Sequence, residues 1–131
     1  MADMRKELEK LESVDGFMAA GVFNREGELV AQQSQAKKAK PSEVCGVISG
    51  ALAKCCKLVA VLGVGQAQFL NVIAPQANIL AVCLPGETLF AADGDNGIVG
   101  HIMLILGPGG NTALGKIKLD SVAKGIALEL R

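Results

Sequence analysis

The chain alternates between segments with a helical apolar period and segments apolar at nearly every position. Met4, Leu8 and Leu11 recur at i, i+4 and i+7 with charges between them, which predicts a short amphipathic helix over residues 3–13. Asp15-Gly16 ends it. Residues 16–24, GFMAAGVFN, read as a strand. Phe17, Ala19, Gly21 and Phe23 point one way and Met18, Ala20 and Val22 the other, so both faces should be covered. Arg25-Glu26-Gly27 is a turn, and residues 28–33 are the return strand of a hairpin. A polar connection, QAKKAKP over residues 35–41, leads to a long helix over residues 42–62. Ser42 stands at its N-cap, Glu43 lies in its first turn, and Gly63 and Gly65 follow its end.

Residues 64–77 carry no clear period and read as either a strand or a short second helix. Three strands are expected next, at residues 78–84, 87–92 and 98–106, separated by Pro85-Gly86 and by the loop DGDNG at 93–97. After GPGG at 107–110, Leu119, Val122, Ile126 and Leu130 make the stripe of a terminal helix, with Gly125 a weak point in it. The expected fold class is α/β of the α+β type. It is a single domain over residues 1–131 with one antiparallel five-stranded sheet flanked by helices, in the order α-β-β-α-β-β-β-α.

The long helix has almost no polar face. At 100° per residue, Val44, Ile48, Ala51, Leu52, Cys55, Leu58, Val59 and Leu62 share one side, which is expected to lie on the sheet. The opposite side carries Gly46, Ser49, Gly50, Ala53, Lys57 and Ala60, including a Gly-x-x-x-Gly spacing. Each mid-helix glycine costs roughly 1 kcal/mol against alanine. Close approach of another backbone would offset that cost, so these six residues are the expected dimer interface. The competing reading covers the same face with the chain's own residues 64–77.

The segment VDGFMAAGVFNREGELVA at 14–31 resembles the opening hairpin of the roadblock / dynein light chain family. The closing ILGPGGNTALGKIKLDSVAKGIALEL at 105–130 is similar to that family's last strand, Asn-x-x-Leu-Gly element and terminal helix. Residues 64–77 depart from the short link usual there. The resemblance implies a roadblock/profilin-like arrangement and a homodimer or heterodimer in which two sheets join and two long helices pack side by side. It further implies a scaffolding or regulatory role, most often toward small Ras-like GTPases and sometimes in motor complexes. The family brings no general catalytic residues, so no enzymatic activity is expected.

Composition narrows the alternatives. With 13 basic and 13 acidic residues the net charge is zero, which leaves no global field for nucleic acid. Four Phe and no Trp or Tyr provide few stacking platforms for single strands. No run reaches the roughly 18 apolar residues of a membrane span, and the charged N-terminus has no secretory h-region. Cys45, Cys55, Cys56 and Cys83 form no Cys-x-x-Cys pair, and their apolar surroundings favour buried thiols of a cytoplasmic protein over zinc ligands or disulfides. No cofactor is expected.

Four motifs compete with a purely structural reading. Gly110 to Lys116 matches G-x-x-x-x-G-K after a strand, the pattern of a phosphate-binding loop, and gives an alternative reading as a nucleotide-binding protein. Against it, residue 117 is Ile where a magnesium-holding hydroxyl belongs, and too little chain follows for such a fold. Asp93, Asp95 and Asn96 fail the calcium-loop pattern and read as a surface turn. His101, the one histidine, lies in an apolar strand without triad partners. Lys37, Lys38 and Lys40 read as a solvated loop or as a contact for an acidic partner. A small-ligand sensory domain is a further reading.

Overall fold

The computed structural model describes residues 2–24, 28–34, 41–64, 68–85 and 98–130. Helix α1 spans Ala2–Glu9 and tightens into a 3-10 turn over Lys10–Ser13. Strands β1 (Phe17–Asn24) and β2 (Leu29–Ser34) precede the long helix α2 (Pro41–Leu62). Strands β3 (Phe69–Ala74), β4 (Ala77–Pro85) and β5 (Ile98–Leu106) follow, and α3 spans Thr112–Leu130. Among the described residues, five strands make one antiparallel sheet in the order β2-β1-β5-β4-β3.

The expected element order and strand number hold, but one strand has a different identity. The third strand is Phe69–Ala74, inside the segment that the periodicity left open between helix and strand. It pairs with β4 from Phe69↔Val82 to Ala74↔Ala77. Pro75-Gln76 is therefore a hairpin turn between two apolar runs. The strand expected at 87–92 and the loop 93–97 lie outside the described residues, as do the turn 25–27 and the lysines at 37, 38 and 40. The β1–β2 connection is held at its base by Asn24. Its backbone N–H donates to the Glu28 carbonyl at 3.0 Å, and its Oδ1 accepts from the Glu28 N–H at 2.9 Å.

Each face of the sheet carries its own core. Met4, Leu8, Leu11, Val22, Leu80, Leu104, Leu119, Val122 and Ile126 fill the space under α1, the 3-10 turn and α3. Ala19, Phe23, Ile48, Leu52, Cys56, Ala81, Cys83, Met103 and Ile105 fill the space under α2. A fully buried Leu or Ile contributes roughly 1.5–3 kcal/mol, so two covered faces explain why β1, β4 and β5 are apolar throughout. The two-sided reading of β1 holds with a correction at its start. The register slips between Phe17 and Ala19, and a one-residue slip exchanges faces. Phe17 therefore joins the α1/α3 side and Met18 the α2 side.

The terminal helix buries Leu119, Val122 and Ile126 as its stripe predicts. Its glycines are places of close approach. A Cβ at Gly115 would lie 3.0 Å from Leu80 Cδ1 and 3.2 Å from Leu106 Cδ1, so α3 sits low on the sheet there. At Gly125 the space is taken by the Glu7 carboxyl of α1, 3.1 Å from such a Cβ.

Candidate functional site

Helix α2 meets the sheet along Ile48, Leu52 and Cys56, an i, i+4, i+8 line that is almost fully buried. The expected sheet face is thus rotated by roughly 60°, toward Ser49. Leu58 and Leu62, assigned to the sheet from the wheel, stand exposed, and Ala51, Cys55 and Val59 are half-buried at the flank. A helix apolar nearly all round has no strong amphipathic direction, so the shape of the sheet decides which line goes down.

The small-residue side lies mostly open. Gly46, Gly50, Ala53, Lys57 and Ala60 are exposed and Ser49 is half-buried. A Cβ built at Gly46 or Gly50 meets nothing within 4 Å. The chain's own residues 68–77, part of the alternative cover, form β3 at the far border of the sheet instead. Larger apolar side chains continue the same outer surface: Val47 is 74% exposed and Val61 86%, with Leu58, Leu62 and Val64 beside them. The only charged described side chains on this stretch are Lys54 and Lys57.

A second apolar area adjoins it. Helix α2 lies nearest β1 and β2, which leaves the same face of β3 and β4 partly uncovered. Leu70, Ala77 and Ile79 only partly join the α2 core. Val72, directly opposite Ile79, is exposed. On the other face of β3, Ile73 is 78% exposed. No described strand pairs with the outer edge of β3, which leaves polar backbone groups beside these apolar side chains. The sequence left this segment open between strand and helix and did not place it at the sheet edge. The signal was present in a β-branched run, FLNVIA, closed by Pro75.

The residues with potential chemistry are arranged differently. His101 and Cys83 are direct neighbours across β5 and β4, under α2. His101 is 7% exposed, its ring centroid lies 5.1 Å from that of Phe23, and its Nδ1 has no hydrogen-bond partner. Burial pulls its pKa down to about 4, so it is neutral at physiological pH. Burial, and then the neighbouring Cys56 and Cys55, push the Cys83 thiol up to about 12. A protonated, buried thiol is a poor nucleophile. Cys55, Cys56 and Cys83 are thiols in the structure, and the described residues hold no group of three metal ligands.

The G-x-x-x-x-G-K segment does not form a phosphate cradle. Gly110 is pressed between strand ends: a Cβ there would lie 2.9 Å from the Asp15 carbonyl oxygen, and its N–H donates to Gly107 O at 3.0 Å. Asn111 Oδ1 caps α3 by accepting from Leu114 N–H at 3.0 Å, and Gly115 N–H donates to Asn111 O at 2.9 Å. Lys116 lies over the Phe69 ring, with Nζ 4.9 Å from the centroid. The pattern is strand-to-helix turn chemistry, and its lysine braces β3 against α3.

No family model matches the sequence, and no curated protein matches it either. Solved structures do match the fold. An MglB with a tetrameric arrangement superposes with a TM-score of 0.81 at 15% identity, covering 99% of this chain and 91% of that one. Myxococcus xanthus MglB gives 0.79 at 9% identity, covering 97% and 94%. The Roadblock/LC7 domain from Streptomyces avermitilis gives 0.76 at 11% identity, covering 99% and 97%. This chain has the roadblock/LC7 fold. The roadblock resemblance read from residues 14–31 and 105–130 therefore holds at the level of architecture. Among the described residues, no helix of this roadblock-fold chain is long and apolar enough to cross a membrane.

Proposed function

We propose that this roadblock-fold chain is a non-enzymatic scaffold. It pairs with a second copy or a related roadblock-like chain, and as a dimer it binds and regulates a small Ras-like GTPase or a complex containing one. Its surroundings would be cytoplasmic, in keeping with the buried, apolar setting of Cys56 and Cys83. The observation that carries the reading is the exposed apolar surface of α2. Val47, Leu58, Val61 and Leu62 are exposed beside its side of small residues, and Val72 and Ile73 are exposed on β3. Burying each of these large side chains would contribute roughly 1.5–3 kcal/mol, and the glycines would let a second backbone approach. Gly46, Ser49, Gly50, Ala53, Lys57 and Ala60 are the proposed contacts on α2, and the free edge of β3 continues them. The GTPase part of the reading rests on the roadblock pattern of residues 14–31 and 105–130 and on the roadblock fold.

Sedimentation of the full chain tests the pairing. A dimer at micromolar concentration is expected, and Gly50→Glu should yield a folded monomer, because the new side chain has open space in one chain and none in a packed seam. A wild-type monomer at tens of micromolar would overturn the pairing. For the partner, Ras-like GTPases of the source organism, loaded with GDP or a non-hydrolysable GTP analogue, should include one that binds the wild type in a nucleotide-dependent way. Binding by none of them would overturn the regulatory reading.

A further inference from the structure

The two borders of the sheet differ in chemistry. Strand β3 presents exposed aliphatic side chains, whereas β2, LVAQQS, is half polar. It contains no charge and no proline, the residue types that commonly block strand addition at an edge. No described strand pairs with its outer side. The ladder slips where Val22 faces Ala31 and Phe23 faces Leu29. Val30 is thereby left out of the register as a bulge and stands 43% exposed.

Beside this edge, α1 leaves an open groove of about 420 Å³ lined by Met4, Arg5, Val30, Ala31 and Gln32. Its floor is apolar and its one charged residue is Arg5. The Arg5 Nε donates to Gln33 Oε1 at 3.4 Å, and no described carboxylate meets the guanidinium. The Gln33 amide in turn donates to Glu12 Oε1 at 2.6 Å, so that nearby acid is already engaged.

We propose that β2 accepts an extended acidic segment of a partner protein as an added sixth strand. Backbone groups of the guest pair with the outer edge of residues 29–33, an apolar side chain seats on Met4, Val30 and Ala31, and a carboxylate meets Arg5. A second copy of this chain fits less well, since its own β2 brings no acid to Arg5. The site lies at the opposite border of the sheet from β3, and its groove opens on the α1 side of the sheet rather than under α2. The proposal does not depend on the dimer or on the GTPase.

The test is selection of a phage-displayed library of random short peptides against the full chain. Peptides with alternating apolar and acidic residues should be enriched, and their binding should slow amide hydrogen exchange in residues 29–34. Arg5→Glu and Val30→Asp should each weaken the selected peptides by about tenfold or more, the scale of one charge-assisted contact. Both side chains are exposed, so the fold should persist, which circular dichroism checks. The comparison chain carries both substitutions, or Arg5→Glu alone should that double variant not fold. No enrichment above that comparison screened in parallel, or protection on β3 or α2 instead, overturns the proposal.

Discussion

Replacing Gly46 and Gly50 by alanine separates one chain from two by the sign of the effect. In the isolated chain nothing lies within 4 Å of a Cβ at either position. Each alanine then contributes only its helix preference, roughly 1 kcal/mol of stabilisation. The pair should raise the monomer's melting temperature by several degrees, at roughly 4 °C per kcal/mol for a chain of this size. If the small side of α2 is the seam of a twofold dimer, each methyl is introduced twice, against a backbone chosen for close approach. Overpacking of this kind costs about 1–3 kcal/mol per site, so the dimer dissociation constant should rise tenfold or more. The assay is thermal unfolding across a wide concentration range, with sedimentation equilibrium at the same concentrations. The double variant should be more stable than wild type when dilute and should lose that advantage when concentrated. A dissociation constant left unchanged or tightened, with a raised melting temperature at every concentration, would refute the assignment of this side of α2 as the seam.

Four other outcomes are expected. Leu52→Ala should cost about 2–5 kcal/mol in urea unfolding, while Leu58→Ala in the Gly50→Glu background should cost well under 1 kcal/mol, which checks the rotation of α2. Gly16→Ala should destabilise by more than ~2 kcal/mol, because φ is +86° and the added Cβ would lie 2.7 Å from Gly110 Cα. Gly109→Ala, at φ +83° with open space, should show only the ~1–2 kcal/mol of backbone strain. His101 is neutral in both states above pH 6.5. Below that its unfolded form takes up a proton that the buried ring, with a pKa of about 4, does not. Stability should therefore fall by up to ~3 kcal/mol as pH drops from 6.5 to 4, a loss absent in His101→Phe and measurable by urea melts across that window. Titration calorimetry with GTP or ATP should show no saturable binding dependent on Lys116, and Lys116→Ala should cost only ~0.5–1 kcal/mol through the lost contact with Phe69.

The outline of the fold was legible because local patterns carried it. The i, i+4, i+7 spacing of Met4, Leu8 and Leu11, the two-sided apolar run of β1, the Pro41-Ser42 start of α2 and the Leu119–Val122–Ile126 stripe each depend on backbone periodicity within one segment. So does the unusual composition of α2, whose glycines and alanines marked a helix without a polar side. The borders were harder. Strand β3 is an edge, half exposed, and its short apolar run is consistent with helix or strand until β4 supplies the ladder from Phe69↔Val82 onward.

The tertiary structure alone decided which way α2 faces. Its wheel is apolar in most directions, so burial of Ile48, Leu52 and Cys56 rather than Leu58 and Leu62 follows from the shape of the sheet beneath. It also decided the fate of the Gly110 to Lys116 motif, since only the packed chain shows Gly110 against Asp15 and Lys116 over Phe69. The sequence determined that the long helix would expose small residues on one side. Only the structure showed that no described part of this chain covers most of them, because covering a helix is a long-range contact that no local period encodes.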